Sequence, residues 1–225
     1  PKTCGLHECA VLQTGESKSG LVTSTLEEAE FYARHGFDDI LYGYPLIPHH
    51  MPRVIALTRD QLWTNQYSFT ISAGVWWEDE AGVDMALQLH NAPNITFVGV
   101  YVHCGNTYGA SEPKEVLQIQ EDTLERLLKF VDRLKQRGVT CTTVGTGSTP
   151  SCRQPSDNMK NLTEIHPGNY TFLDVQQWSL GSCSQEDIAC CVATRVIGHY
   201  PHRNQQGYGH MDTGYGVFRG HPNLK

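Results

Sequence analysis

The sequence predicts an α/β fold built on parallel strands. Three observations predict it: near-continuous apolar runs that suit strands buried on both faces, a long amphipathic helical segment, and the recurrence of strand, helix and strand along the chain. The 225 residues are 39% hydrophobic and 18% charged, as in an ordinary soluble globular protein, and one domain is expected at this length.

The first unit opens with "GLVTS", a short β-branched run. "STLEEAEFYARHGFDDILYGYP" then begins with Ser24, carries Glu27 three residues on in the manner of a capping box, and reaches Gly36, a residue suited to the end of a helix. Asp38 to Tyr44 follows as a second short apolar run ended by Pro45. The middle of the chain is read more coarsely: "VIALTRDQLWTN" suits a helix, "YSFTI" alternates like a strand, and "GVWWEDEAGVDMALQLHN" mixes a turn with a helix.

In the second unit "ITFVGVYVHCG" suits a buried strand. Leu124, Leu127, Leu128, Val131 and Leu134 then recur at helical spacing, Gly138 closes that helix, and Thr140 to Val144 forms the next strand. The alternation continues through "LTEIHPGNYTF" and "DIACCVATRVIGHY". Repeated units of this kind imply a parallel sheet, either a barrel or an open doubly wound sheet.

Net charge is −7 with no Lys/Arg-rich run, which argues against a nucleic-acid or anionic-membrane partner and favours small-molecule chemistry. No stretch approaches a membrane span. The eight cysteines include no C-x-x-C pair, so they read as free thiols rather than a zinc cage. Sequons occur at Asn94, Asn161 and Asn169; a cytoplasmic location is expected, with a secreted chain left open by those tripeptides.

Ligands of parallel α/β folds sit at the carboxyl ends of strands, and three polar loops fall there. "GTGSTPS" combines glycines with the hydroxyls of Ser148 and Thr149, which suits a phosphate, although such a loop also serves as a plain turn. "HPGNY" offers the backbone amides of Gly168, Asn169 and Tyr170, and "HCGNTYG" brings His103, Cys104, Asn106 and Tyr108 to the same rim.

"VYVHCGNTYG", "VGTGSTPSC", "LTEIHPGNY" and "VATRVIGHYPHRNQ" together resemble the eukaryotic D-serine dehydratases, a family of fold-type III pyridoxal-phosphate enzymes with an alanine-racemase-like barrel. The similarity runs from the first residues to "GHPNLK". It implies a partial or complete barrel of the alanine-racemase N-terminal type over residues 1–225, shortened between Asp60 and Ala73 and after Gln205, and without the family's β-rich C-terminal domain. It also implies that Ser148, Thr149, Gly168, Asn169 and Tyr170 bind the cofactor phosphate and that Tyr108 lies near the pyridine ring. Lys2 of "PKTCGLHE" matches the lysine that carries the cofactor, with Cys4 and Gly5 in place of the family's following His and Lys. The family's zinc-binding His-x-Cys pair is absent from this sequence. The resemblance therefore implies elimination from a small D-amino acid, D-serine or D-threo-3-hydroxyaspartate, by a pyridoxal-phosphate lyase impaired by loss of its zinc, with a homodimer left open. The alternative is a non-catalytic relative that keeps the fold for binding or a structural role.

Overall fold

The computed structural model describes residues 6–44, 48–59, 75–93, 96–189, 196–200 and 205–208. The chain divides into two compact units, Pro1–Ala189 and Cys190–Lys225.

The first unit begins with α1 (His7–Gln13), a helix the sequence reading missed. β1 (Leu21–Thr23), α2 (Leu26–Arg34) and β2 (Ile40–Tyr42) follow, and β1 and β2 pair in parallel, as a strand, helix, strand crossover requires. The capping box is set one residue later than expected. Thr25, not Ser24, is the N-cap, and its hydroxyl accepts from Glu28 N while the Glu28 carboxylate accepts from Thr25 N. The pattern fits either register because Ser-Thr is followed by Glu-Glu. Packing decides: starting at Leu26 buries Leu26, Ala29 and Tyr32 on one face. Ala10, Leu21, Ala29, Tyr32, Phe37 and Ile40 form the core of this half.

α3 (Met51–Arg59) and α4 (Glu80–Asn91) lead into the larger sheet, with the Asp79 carboxylate capping α4 through Ala81 N. "YSFTI" lies outside the described residues. β3 (Gly99–His103), β4 (Thr143–Gly147) and β5 (Glu164–His166) then form a parallel sheet in that order. α5 (Pro113–Gln136) crosses between β3 and β4 and buries Val116, Leu124, Leu127, Phe130 and Leu134; it ends before Gly138, whose φ of +83° only glycine adopts freely. Val83, Ala86, Val100, Val139 and Val144 complete this core.

β4 lies three residues beyond the expected Thr140 to Val144. Its register is fixed by β3, where Gly99 faces Thr143 and His103 faces Gly147, so the first glycines of the supposed loop belong to the strand. α6 (Thr149–Arg153) starts directly after it, and α7 (Val175–Ser179) follows β5.

In the second unit, β6 (Val196–Tyr200) and β7 (Gln205–Tyr208) pair antiparallel. This corrects the expectation of continued parallel alternation there. Four residues separate the two strands, far too few for a crossover, so only a hairpin can form.

Candidate functional site

Alternation along β3 and β4 separates two faces of the sheet. Val100 and Val144 join the core beneath α5, so the odd-numbered residues point to the other face. On that face two rows cross the strands: Tyr101, Gly145 and Glu164 in one, His103, Gly147 and His166 in the next. The central residue of each row is glycine, and the side chains of the outer strands meet over it. Tyr101 and His166 stack with centroids 4.7 Å apart and planes 20° from parallel. The Tyr101 hydroxyl lies 3.2 Å from His103 Nδ1, and His166 Nε2 lies 3.0 Å from a Glu164 carboxylate oxygen. A Cβ at Gly147 would overlap the Tyr101 hydroxyl and come 2.9 Å from His103 Nδ1. Only glycine leaves this aromatic floor intact.

The loops at the carboxyl ends of the strands complete the site. Gly168 N and Asn169 N both donate to the Thr149 hydroxyl, at 3.2 and 2.8 Å, and Thr149 N donates to the Tyr108 hydroxyl at 3.4 Å. Three backbone amides thus converge beside two hydroxyl oxygens. The Asn169 side chain donates to the Asp174 carboxylate at 2.8 Å, and Asp174 in turn caps α7 through Gln177 N. Tyr170 is half-buried in the same turn.

Ser148 sits at the hinge of this arrangement with φ +107°, a conformation that non-glycine residues adopt at a cost of about 1–3 kcal/mol. Its hydroxyl lies 3.0 Å from Thr107 Oγ1 and 2.7 Å from Ser151 Oγ, and accepts from Ser151 N. Thr107 continues the chain by donating to Cys104 O at 2.6 Å. From α5, Gln120 closes the same corner: its buried amide donates to Ser151 O and Gln154 O and accepts from Ser156 N.

Burial pushes the Tyr101 hydroxyl well above the usual phenol range and raises that of Tyr108 as well, so both stay protonated at neutral pH. Burial, and after it the neighbouring Cys104, push the Cys152 thiol up to about 11.

Of the residues singled out from the sequence, the structure brings Tyr108, Ser148, Thr149, Gly168 and Asn169 into one cluster. Lys2 lies outside the described residues. Sequence reasoning missed Tyr101, Glu164, His166 and Gln120; the glycines at 145 and 147, spaced two apart within a strand, were the available signal for the aromatic floor. Among the described residues, Cys104, Cys141, Cys152 and Cys183 are free thiols. Among the described residues no helix is long and apolar enough to cross a membrane, and no three His, Cys, Asp or Glu side chains are grouped to hold a metal ion.

No protein-family model matches the chain. It is 28% identical over 225 aligned positions to a D-serine dehydratase of Dictyostelium discoideum, covering 83% of this chain and 56% of that protein. It is 26% identical over 242 positions to a D-threo-3-hydroxyaspartate dehydratase of Delftia sp., covering 95% of this chain and 63% of that one. Among solved structures, an alanine racemase-like protein from Idiomarina loihiensis superposes with a TM-score of 0.74 at 25% identity, covering 92% of this chain and 62% of the other. The Delftia dehydratase also gives 0.74, at 26% identity, over 86% of this chain and 58% of its own. The chain spans somewhat more than half the length of the curated relatives it matches. In sequence and in fold alike, the chain is similar to D-serine and D-threo-3-hydroxyaspartate dehydratases and to part of an alanine-racemase-like protein.

Proposed function

We propose that the carboxyl ends of β3, β4 and β5 hold pyridoxal phosphate and that the protein eliminates water from a small D-amino acid bearing a β-hydroxyl, D-serine or D-threo-3-hydroxyaspartate. The observation that carries this reading is the convergence of Gly168 N and Asn169 N on the Thr149 hydroxyl. Clustered backbone donors are what a phosphate monoester needs, and the fold has already organised them. The adjoining stack of Tyr101 and His166, kept open by Gly147, supplies a flat aromatic wall for a planar ring. The D-serine and D-threo-3-hydroxyaspartate dehydratases to which the chain is similar point the same way.

In this reading Thr149, Gly168 and Asn169 grip the phosphate, and Tyr108, protonated at neutral pH, donates beside it. Ser148 orients this grip through its bonds to Thr107 and Ser151. Lys2 anchors the cofactor and removes the proton from Cα of the amino acid, and Tyr170 flanks the phosphate turn. Bound pyridoxal phosphate supplies the electron sink that makes this proton acidic. Departure of the Cβ hydroxyl as water leaves an enamine, whose tautomerisation and hydrolysis give a 2-oxo acid and ammonia.

The test is ammonia release from D-serine and from D-threo-3-hydroxyaspartate by protein supplied with pyridoxal phosphate, with and without added zinc. Turnover that Lys2→Ala abolishes is expected. No ammonia from either substrate at saturating cofactor would overturn the catalytic reading.

A further inference from the structure

The buried imidazole of His166 has one nitrogen engaged and one without a partner. Nε2 meets the Glu164 carboxylate at 3.0 Å, and the side chain is only 9% exposed. Nδ1 is buried and meets no hydrogen-bonding group of the described protein. A carboxylate accepts and never donates when ionised, so Nε2 carries the proton in the neutral ring and Nδ1 presents a lone pair. A buried acceptor left unmatched forfeits its hydration with nothing in return. His166 also stands at a telling place: the next two residues lead into the turn whose amides meet on Thr149, and its ring is held flat against Tyr101 above Gly147. Ring plane, tautomer and position are all fixed by neighbours, and the one free valence lies on the face of the sheet opposite the α5 core.

We propose that His166 is a ligand-binding residue whose Nδ1 lone pair accepts a hydrogen bond from an N–H or O–H group of the small molecule held at the carboxyl ends of β4 and β5. The inference rests on the cofactor pocket proposed above and deepens it: the site selects a ligand that offers a donor at this point. Glu164 is a positioning residue that acts through His166 by holding the proton on Nε2. Both the cofactor and the amino acid carry donors, and the experiment separates them.

The experiment is nitrogen NMR on protein labelled at histidine nitrogens, with His166 assigned by its loss in His166→Phe. In the free protein the His166 signals are expected to report the Nε2–H tautomer. Pyridoxal 5′-phosphate is then titrated in, followed by D-serine in a Lys2→Ala background where turnover cannot proceed. Movement of Nδ1 to a hydrogen-bonded shift is expected, with cofactor alone if the cofactor is the donor and only after D-serine if the amino acid is. Inorganic phosphate, which engages the backbone amides, should leave Nδ1 unmoved. In parallel, His166→Phe, which keeps the stack on Tyr101, is expected to weaken binding of the donor ligand about tenfold, and His166→Asn, which keeps an acceptor near Nδ1, to stay within about threefold of wild type. Saturable binding with Nδ1 unmoved by either ligand would overturn the assignment while leaving the pocket standing. Equal losses in the Phe and Asn variants would likewise reduce His166 to a packing residue. Absence of any saturable binding of pyridoxal 5′-phosphate to wild type would overturn the pocket and the assignment together.

Discussion

Tyr101 and His166 sit on the two outer strands of a three-stranded parallel sheet, yet their rings stack 4.7 Å apart, because the strand between them carries glycine at 145 and 147. The strand order brings the residues into rows, and the missing side chains let them touch. Everything proposed for the site stands on this floor and on the amide cluster at its edge.

Gly147→Ala is therefore expected to fold with β4 in register and to lose the floor. The added Cβ overlaps the Tyr101 hydroxyl and crowds His103, so the Tyr101 ring must turn away from His166. Near-ultraviolet circular dichroism should change while the far-ultraviolet signal stays, and pyridoxal phosphate binding should weaken at least about tenfold, the effect of losing one good contact. Unchanged binding would show that the floor is not part of the site.

Thr149→Val removes the oxygen on which Gly168 N and Asn169 N converge while keeping the side-chain volume. Two half-buried donors lose their acceptor, and a stability loss of about 1–3 kcal/mol is expected in urea unfolding. Thr149→Ser should restore most of it. Phosphate-containing ligands should stabilise the Val variant less than wild type, because the turn is no longer preformed.

How much of this was legible in the sequence follows from the physics of each element. Leu124, Leu127 and Leu134 revealed α5 because a helix face repeats locally, and Thr149, Gly168 and Asn169 were legible as loop residues because glycine and hydroxyl side chains mark strand ends. The one-residue shift of the α2 cap was hidden by the Ser-Thr and Glu-Glu repeats, and only burial of Leu26 and Tyr32 resolves it. The stack of Tyr101 on His166 was illegible because it depends on the register of two strand pairs whose partners lie 44 and 19 residues apart, which no local pattern encodes. The antiparallel β6 and β7 hairpin was readable in principle, from a gap of four residues that excludes a crossover.

The Cys152 thiol gives a pH dependence with a definite sign. Burial and the nearby Cys104 raise it from about 9 to about 11, so the folded chain keeps a proton that the unfolded chain loses. Its contribution to stability is complete below about pH 9 and is lost as the pH rises toward about 11. Urea midpoints measured across that range should fall more steeply for wild type than for Cys152→Ala. Parallel slopes would contradict this account of the thiol.

Asn169 is expected to carry no glycan even when the protein is made in a secretory host, since its side-chain amide is committed to Asp174 and its backbone to Thr149. Asn161 is exposed and provides the internal comparison. Peptide mass mapping reads both sites at once, and glycan on Asn169 would remove this turn from any cofactor site.

The most direct measurement is a titration of the protein with pyridoxal 5′-phosphate, followed by borohydride reduction and peptide mapping, repeated with Thr149→Val and with inorganic phosphate as competitor. The account predicts saturable binding that phosphate displaces and Thr149→Val weakens at least about tenfold, with the reduced cofactor recovered on the peptide containing Lys2. Absence of saturable binding, or binding indifferent to phosphate and to Thr149, would contradict it.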